Sequence, residues 1–389
     1  LEKIIVKSVE HKDGTKTQEI IIEHDTPEEE RETAKQLLNA ESTVASSSFS
    51  STLLSEVVEK YCYEQEALKK WSDKTATENR ATFAMFARVV GDVTFTSLGY
   101  KQLNDYKCKM LKLPPNINKV KQFRELTVDE ILKMDNVQPM ARNTLNKHLS
   151  RVSSLFEWSV KNGCTDNNYA TGLSIGKDKR AQDEREIFTD FDLKKIFESS
   201  ECRNSMIKSD CHYWVPLISL YSGARLNEIC QLYLEDIKQI NGVYIFDINN
   251  LQDKKLKNSS SRRIIPIHSV LIKLGLITYY QQLKLSNETR LFPKLNAGRD
   301  GYGRSVSAWF AEYLKKLGIK EKSKVFHSLR HTALDQLKQK EVTEPMVAGI
   351  GGHLVKSETF GRYGKSYKPE VMQQYIELLE FDVQHFEYP

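Results

Sequence analysis

The chain has 389 residues, 40% of them hydrophobic, and 57 basic against 52 acidic side chains give a formal net charge of +5. That length points to two or three domains with real cores, and a pI near 8.6 lends only modest support to a nucleic-acid partner, for which domains above 9 are the usual sign. No run of about 18 apolar residues occurs, which excludes a membrane-spanning helix. No apolar stretch follows the basic start, so no signal peptide is expected, and the missing initial Met is expected of a trimmed chain. Six cysteines (Cys62, Cys108, Cys164, Cys202, Cys211 and Cys230) form no Cys-x-x-Cys pair, so neither a metal cluster nor a disulfide scaffold is expected and a reducing cytoplasm is the natural compartment.

Residues 1–47 read as a small appendage. Ile4-Ile5-Val6 and Ile20-Ile21-Ile22 flank Asp13-Gly14 and predict a hairpin. Thr26-Pro27-Glu28-Glu29 predicts a helix start, and Ser46-Ser47-Ser48 a linker. Residues 48–174 read as helical. Leu53, Val57 and Tyr61 fall on one face; Thr75-Ala76-Thr77-Glu78 predicts a capped start for a helix carrying Phe83, Phe86, Ala87 and Val90. Leu145, Leu149, Val152 and Phe156 make a third stripe, and Leu113-Pro114-Pro115-Asn116 breaks the chain between helices. Opposite that third stripe lie Thr144, Lys147, Arg151 and Ser154, either a solvated polar face or a row of phosphate contacts. Residues 175–184 are polar and read as a linker. Residues 185–389 read as a mostly helical domain, whose first helix starts at Asp190. One strand pair, Val243–Phe246 and Arg263–Ile267, flanks a basic loop. Pro369 to Phe381 reads as a final helix.

Five short signals in this last domain carry chemistry. Ser222-Gly223-Ala224-Arg225-Leu226-Asn227-Glu228 puts Arg225 one turn before Glu228, an ordinary ion pair on its own. Lys257 lies in Lys257-Asn258-Ser259-Ser260-Ser261-Arg262-Arg263, where a lone loop lysine is usually just solvated. In His327-Ser328-Leu329-Arg330-His331, His327 and Arg330 share a helical face. A zinc site is the competing reading, but Ser328 stands where the zinc-protease pattern needs Glu. Gly351-Gly352-His353 follows, then Tyr363. Fixed guanidiniums suit the charge on a phosphodiester's nonbridging oxygens. A phenol of pKa about 10 needs neighbouring Arg or His to become a nucleophile.

In order and spacing these signals resemble the tyrosine recombinase (phage integrase) family, from about Ser48 to the C-terminus. The resemblance implies a mainly α fold with a small β element: a helical, SAM-like core-binding domain plus an α+β catalytic domain, closing on DNA as a C-shaped clamp. Tyr363 would be the nucleophile that forms a 3′-phosphotyrosine. Arg225, Arg330 and His327 would bind the phosphate, and Lys257 would protonate the leaving 5′ oxygen, with Lys254 and Lys255 as alternatives in register. His353 would bond a nonbridging oxygen or assist the tyrosine. Glu228 would orient Arg225, His331 would give structural support, and Thr144, Lys147, Arg151, Arg262 and Arg263 would contact DNA. Gly351 where the family usually has Leu, and one extra residue between His353 and Tyr363, depart from the common pattern. The resemblance implies no metal, ATP or other cofactor. The implied partners are double-stranded DNA, a homotetramer exchanging C-terminal tails through a Holliday junction, and accessory directionality or DNA-bending factors. The implied setting is the cytoplasm and nucleoid, with a phage or other mobile element encoding the chain. Residues 1–47 would be the remnant of an arm-binding module or a structural piece. A type IB topoisomerase, a catalytically silent DNA-binding protein and a metal-dependent phosphodiesterase are the rivals.

Overall fold

A computed structural model describes residues 3–10, 16–23, 52–176, 186–199, 207–353 and 367–383. The chain divides into two compact units, Leu1–Asp178 and Lys179–Pro389. No helix among the described residues is long and apolar enough to cross a membrane.

The first unit opens with the expected hairpin, β1 (Lys3–Glu10) and β2 (Lys16–Glu23), antiparallel from Lys3↔Glu23 to Glu10↔Lys16. The Asp13-Gly14 turn, the Thr26-Pro27 helix start and the Ser46–Ser48 patch lie outside the described residues. A helical bundle follows: α1 (Leu54–Ala67), α2 (Asp73–Val90), α3 (Tyr100–Met110), the short α4 (Lys121–Arg124) and α5 (Val128–Leu132), and α6 (Arg142–Lys161). Most of the predicted stripes form its core: Val57, Tyr61, Phe83, Phe86, Leu145, Leu149, Val152 and Phe156 are buried, Ala87 and Val90 are partly buried against it, and Leu53, just before α1, is exposed. Two expectations need correction. Helix α2 starts earlier than Thr75, because Ser72 caps it by accepting from the Thr75 N–H at 3.3 Å. Arg151 does not stand free for phosphate: its guanidinium reaches across to α2, donating to Glu78 Oε2 at 2.5 Å and Thr82 Oγ1 at 3.0 Å. Of the same row, Thr144 is half-buried and Lys147 exposed.

The second unit is built on α8 (Asp210–Ser222), which follows α7 (Asp190–Glu198). Every residue of α8 from Tyr213 to Ser222 is buried, as a helix apolar on all sides must be. Around it lie α9 (Leu226–Cys230), β3 (Ile237–Ile240), β4 (Val243–Ile248), β5 (Arg263–Pro266), α10 (Ser269–Lys273), α11 (Leu276–Leu285), α12 (Arg304–Lys316), α13 (Phe326–Gln339), α14 (Glu344–Gly351) and α15 (Pro369–Ile376). The sheet has three strands in the order β3-β4-β5 rather than the expected pair. The strand missed in the sequence, β3, turns into β4 through Asn241-Gly242, both at positive φ (49° and 83°), the two-residue hairpin turn that this dipeptide favours. The connection from β4 to β5 carries Lys257.

The final helix stops at Ile376 rather than Phe381, and residues 377–381 pack on their own unit. Met372, Ile376 and Leu379 are buried, Glu377 accepts from the Ser269 N–H and hydroxyl at 2.9 and 2.6 Å, and Phe381 meets Tyr221 edge-on at 5.4 Å. Residues 384–389 lie outside the described part.

Helix α8 ends at Gly223, in the left-handed conformation (φ 62°, ψ 12°), where an added Cβ would meet Leu334 Cδ2 at 3.1 Å. Non-glycine residues pay about 1–2 kcal/mol for that conformation. Gly223→Ala is therefore expected to lower the unfolding free energy by about 1–2 kcal/mol in a urea titration; an unchanged midpoint would contradict this.

Candidate active site

The site is assembled around one carboxylate. Glu228 lies on α9, a helix of five residues whose N-cap is Arg225. Glu228 Oε2 accepts from the Arg225 backbone N–H at 2.9 Å, closing a capping box, while Oε1 takes the Arg225 guanidinium at 2.7 Å. Oε2 also takes Arg263 Nη2, from β5, at 2.8 Å. Glu228 is 4% exposed. Burial pushes its pKa up, but Arg263 and Arg225 outweigh that and hold it below the ordinary value.

The guanidiniums are seated on backbone carbonyls at helix ends. Arg330, on α13, donates to Gly223 O and Gly351 O, both at 2.6 Å; Arg225 Nη2 donates to Gly352 O at 3.1 Å; Arg263 Nε donates to Ile350 O at 2.7 Å. The C-termini of α8 and α14 thus direct carbonyl dipoles at three cations, the favourable polarity for a helix end. Gly352 caps α14 at φ 64°, and a Cβ there would come within 2.7 Å of Arg263 Nη1. Gly351 is closely packed: a Cβ at that position would lie 3.2 Å from Arg330 Nη2 and 3.3 Å from Leu334 Cδ1, so the Leu of the common pattern would require both neighbours to give way.

Arg330 donates as well to His353 Nε2, at 2.8 Å. A guanidinium cannot accept, so Nε2 is the acceptor and the imidazole proton sits on Nδ1. Burial, then Arg330, Arg225 and Arg263, lower the His353 pKa to about 4. Burial first, then Arg225 and Arg263, lower that of Arg330 to about 9, which leaves it charged at neutral pH. Three guanidiniums therefore converge on a single carboxylate and a neutral histidine, leaving excess positive charge in the cluster among the described residues. Arg225, with 17% of its side chain exposed, faces outward, and Arg330, at 1%, backs it.

The structure brings Arg225, Glu228, Arg263, Arg330 and His353 into one network. His327 opens the same helix one turn before Arg330, half-buried, its ring edge-to-face with His331 at 4.8 Å. Lys257 is exposed on the β4–β5 connection, four residues before Ser261, whose hydroxyl accepts from Arg225 Nη1 at 3.3 Å. Tyr363 lies outside the described residues.

Residues 187–370 match the phage integrase family. The chain is 26% identical over 278 residues to the tyrosine recombinase XerC of Thermodesulfovibrio yellowstonii, covering 69% of this chain and 85% of that protein. It is 24% identical over 284 residues to a tyrosine recombinase of Pseudothermotoga lettingae, covering 72% and 91%. Among solved structures it resembles a lambda integrase tetramer bound to a Holliday junction (TM-score 0.53, 15% identity, 91% of this chain and 96% of that one). It also resembles the Tn1549 transposon integrase in complex with circular intermediate DNA (TM-score 0.53, 15% identity, 82% and 97%). The phage integrase match thus takes in most of the second unit. The fold likeness agrees with the mainly α architecture and its small sheet.

The side chains of the basic loop are used unevenly. Arg263, expected to face DNA, is turned inward: it is 9% exposed, with Nε, Nη1 and Nη2 each donating within the protein, to Ile350 O, Ser261 O and Glu228. Lys254 drops out as an alternative to Lys257, since it is buried and both Asp236 oxygens accept from it at 2.6 Å. Arg262, Lys255 and Lys257 are exposed. Ser261 went unread; the one available signal was its place two residues before Arg263, which puts both next to Arg225.

Two outcomes follow. Glu228→Gln removes the carboxylate shared by buried Arg263 and half-buried Arg225, and breaking a buried pair costs about 3–5 kcal/mol; a urea midpoint close to wild type would refute that role. His353 is expected to titrate near pH 4 by NMR in the absence of DNA. Since the unfolded chain, with an ordinary pKa of about 6.5, takes up the proton first, this residue withdraws stability as pH falls from 6.5 towards 4, and not above. A midpoint at 6.5 would contradict the buried, neutral assignment.

Proposed function

We propose that the protein is a site-specific DNA recombinase of a phage or other mobile element, with Tyr363 as its nucleophile. The observation that carries the reading is the convergence of Arg225, Arg330 and His353 around Glu228, a site with surplus positive charge among the described residues. In the reaction, Tyr363 Oη attacks the scissile phosphorus. Tyr363 reacts as the phenolate, its proton given up to solvent with the neighbouring guanidiniums favouring the anion; the Oη–P bond forms, the P–O5′ bond breaks, and the 5′ oxygen takes a proton from Lys257. Arg225, Arg330 and His327 stabilise the nonbridging oxygens as charge builds on them. Removing one such donor costs about 10²–10³ in rate, roughly 3–4 kcal/mol. His353, held as acceptor to Arg330, keeps that guanidinium in place and offers its Nδ1–H to the phosphate.

The phosphotyrosine conserves the bond energy, so a 5′ hydroxyl of a partner strand can displace Tyr363 without ATP. Two rounds of exchange would pass through a Holliday junction held by four protomers. A lambda integrase tetramer on such a junction is among the similar folds, and supports this assembly. Lys147 and Arg262, exposed in their respective units, are the proposed backbone contacts, with accessory bending or directionality factors setting the outcome.

The test uses nicked duplexes from the ends of the encoding element, incubated in EDTA with wild type, Tyr363→Phe and Arg330→Ala. A covalent protein–DNA band is expected for wild type, none for Tyr363→Phe, and about 10²–10³ slower formation for Arg330→Ala. A band with Tyr363→Phe would remove the nucleophile. Sequence-independent relaxation of supercoiled plasmid would favour the topoisomerase reading instead.

A further inference from the structure

Three consecutive residues shortly before Lys257 are tied down, each by a different means, and each has at least one tie to the stretch 231–236. Asp253 accepts from Tyr233 Oη at 2.9 Å, from Arg290 Nη2 at 2.6 Å, and from the Tyr302 hydroxyl. The Arg290 guanidinium is sandwiched between the Tyr233 and Tyr302 rings, 4.1 and 4.3 Å from their centroids. Tyr302, Tyr233 and Arg290 together hold the Asp253 carboxyl down at about 2. Lys254 is buried against Asp236. Lys255 is held by its backbone alone: its N–H donates to Gln231 Oε1 at 3.1 Å and its carbonyl accepts from Gln231 Nε2 at 3.2 Å. Gln231 is 2% exposed, and its Oε1 also accepts from Asn227 at 3.2 Å. Asn227 Oδ1 in turn accepts from the Tyr302 N–H at 2.7 Å.

On the far side of the lysine, Ser261 and Arg263 are fixed beneath Arg225 and Glu228. Between the anchors only residues 256–260 are left, with Lys257 exposed near their start. The near anchors, Asn227, Gln231, Tyr233 and Asp236, all lie within ten residues of α9 and its exit, and the N-cap of α9 is Arg225. The lysine is thus registered to the outward arginine through one short helix and not through the sheet alone. A lysine side chain is long and free to turn, and an acid must lie within hydrogen-bond reach of the atom it protonates. The origin of that side chain is what the anchors set.

We propose that Gln231, with Asp253 behind it, is a positioning residue for the general acid, holding the Lys257 loop in register with Arg225. The inference rests on the general-acid reading of Lys257. Neither Gln231 nor Asp253 needs to touch the DNA; both act through the loop backbone.

The experiment exploits the leaving group. An oxygen that departs at O5′ needs a proton, whereas a bridging sulfur leaves as a thiolate, whose conjugate acid has a pKa of about 8.5. Full-length wild type, Lys257→Ala, Gln231→Leu and Asp253→Asn are each given nicked duplexes from the element's ends. The 5′-bridging atom at the scissile phosphate is oxygen or sulfur, and covalent-complex formation is followed in single turnover. Lys257→Ala is expected to be about 10²–10⁴-fold slow on oxygen and close to wild type on sulfur. Gln231→Leu is expected to be about 10–10²-fold slow on oxygen, the scale of a misplaced group, and likewise restored by sulfur, with DNA binding unchanged in a gel shift. Asp253→Asn changes a half-exposed side chain (48%) and keeps the test open if Gln231→Leu fails to fold; it should show a smaller loss with the same rescue. A Lys257→Ala enzyme still slow on sulfur would overturn the general-acid reading, and the positioning role with it. If Lys257→Ala is rescued but the two anchor variants are fast on oxygen, or equally slow on both substrates, the positioning role alone falls.

Discussion

The arginine cluster of the second unit depends on Glu228 more than on any other side chain. Its two oxygens cap α9, orient Arg225 and tether Arg263 from a different element. Three positive groups packed at this depth would repel one another strongly in a medium of low effective dielectric. One ionised carboxylate, kept ionised by those same cations, makes the cluster tolerable without neutralising it. The remainder of the positive charge is compensated weakly, by carbonyl dipoles at the ends of α8 and α14. Dipoles fix direction without cancelling charge, so the guanidiniums stay attractive to an anion. A second carboxylate in the cluster would have stabilised the protein and spoiled the site.

The same logic explains why backbone conformation matters here. Gly223 and Gly352 end their helices in the left-handed conformation, and that turn is what aims their carbonyls inward. The arginines are therefore set by where two helices stop, and helix ends are set by glycine. His353 follows one of these stops directly, and its place there makes it an acceptor for Arg330 and so a neutral imidazole. Position in the chain, backbone turn, hydrogen-bond direction and protonation state form one sequence of causes.

Much of this was legible in the residues. The stripes of the first unit predicted its core, because burial of one helical face repeats every three or four positions. Arg225 with Glu228, and His327 with Arg330, were readable for a similar reason: partners three apart on a helix meet. What failed was whatever depends on partners far away in sequence. Arg151 looked like a surface cation until Glu78, 73 positions earlier, was found to hold it. Arg263 and Lys254 sat in a basic run that read as a DNA-facing loop, yet Glu228 and Asp236 had claimed them. Charge runs reveal composition, not pairing. The strand β3 was a different kind of miss, since its Asn241-Gly242 turn was visible and the four residues before it were too few to show a period.

The uneven fate of that basic run leads to a more general constraint on the loop. A flexible loop lysine would have to be placed afresh in every encounter with a substrate, at the entropic cost of fixing each backbone residue in one conformation. Burying Lys254, clamping the Lys255 backbone with Gln231 and holding Asp253 between two tyrosines and Arg290 spends that cost in folding, on neighbours that do no chemistry themselves. Lys254 is itself an anchor, whereas Lys257, the acid of the proposed reaction, stays exposed between anchored neighbours. Two lysines three positions apart, indistinguishable by composition, thus differ in exposure because a single buried aspartate holds one of them.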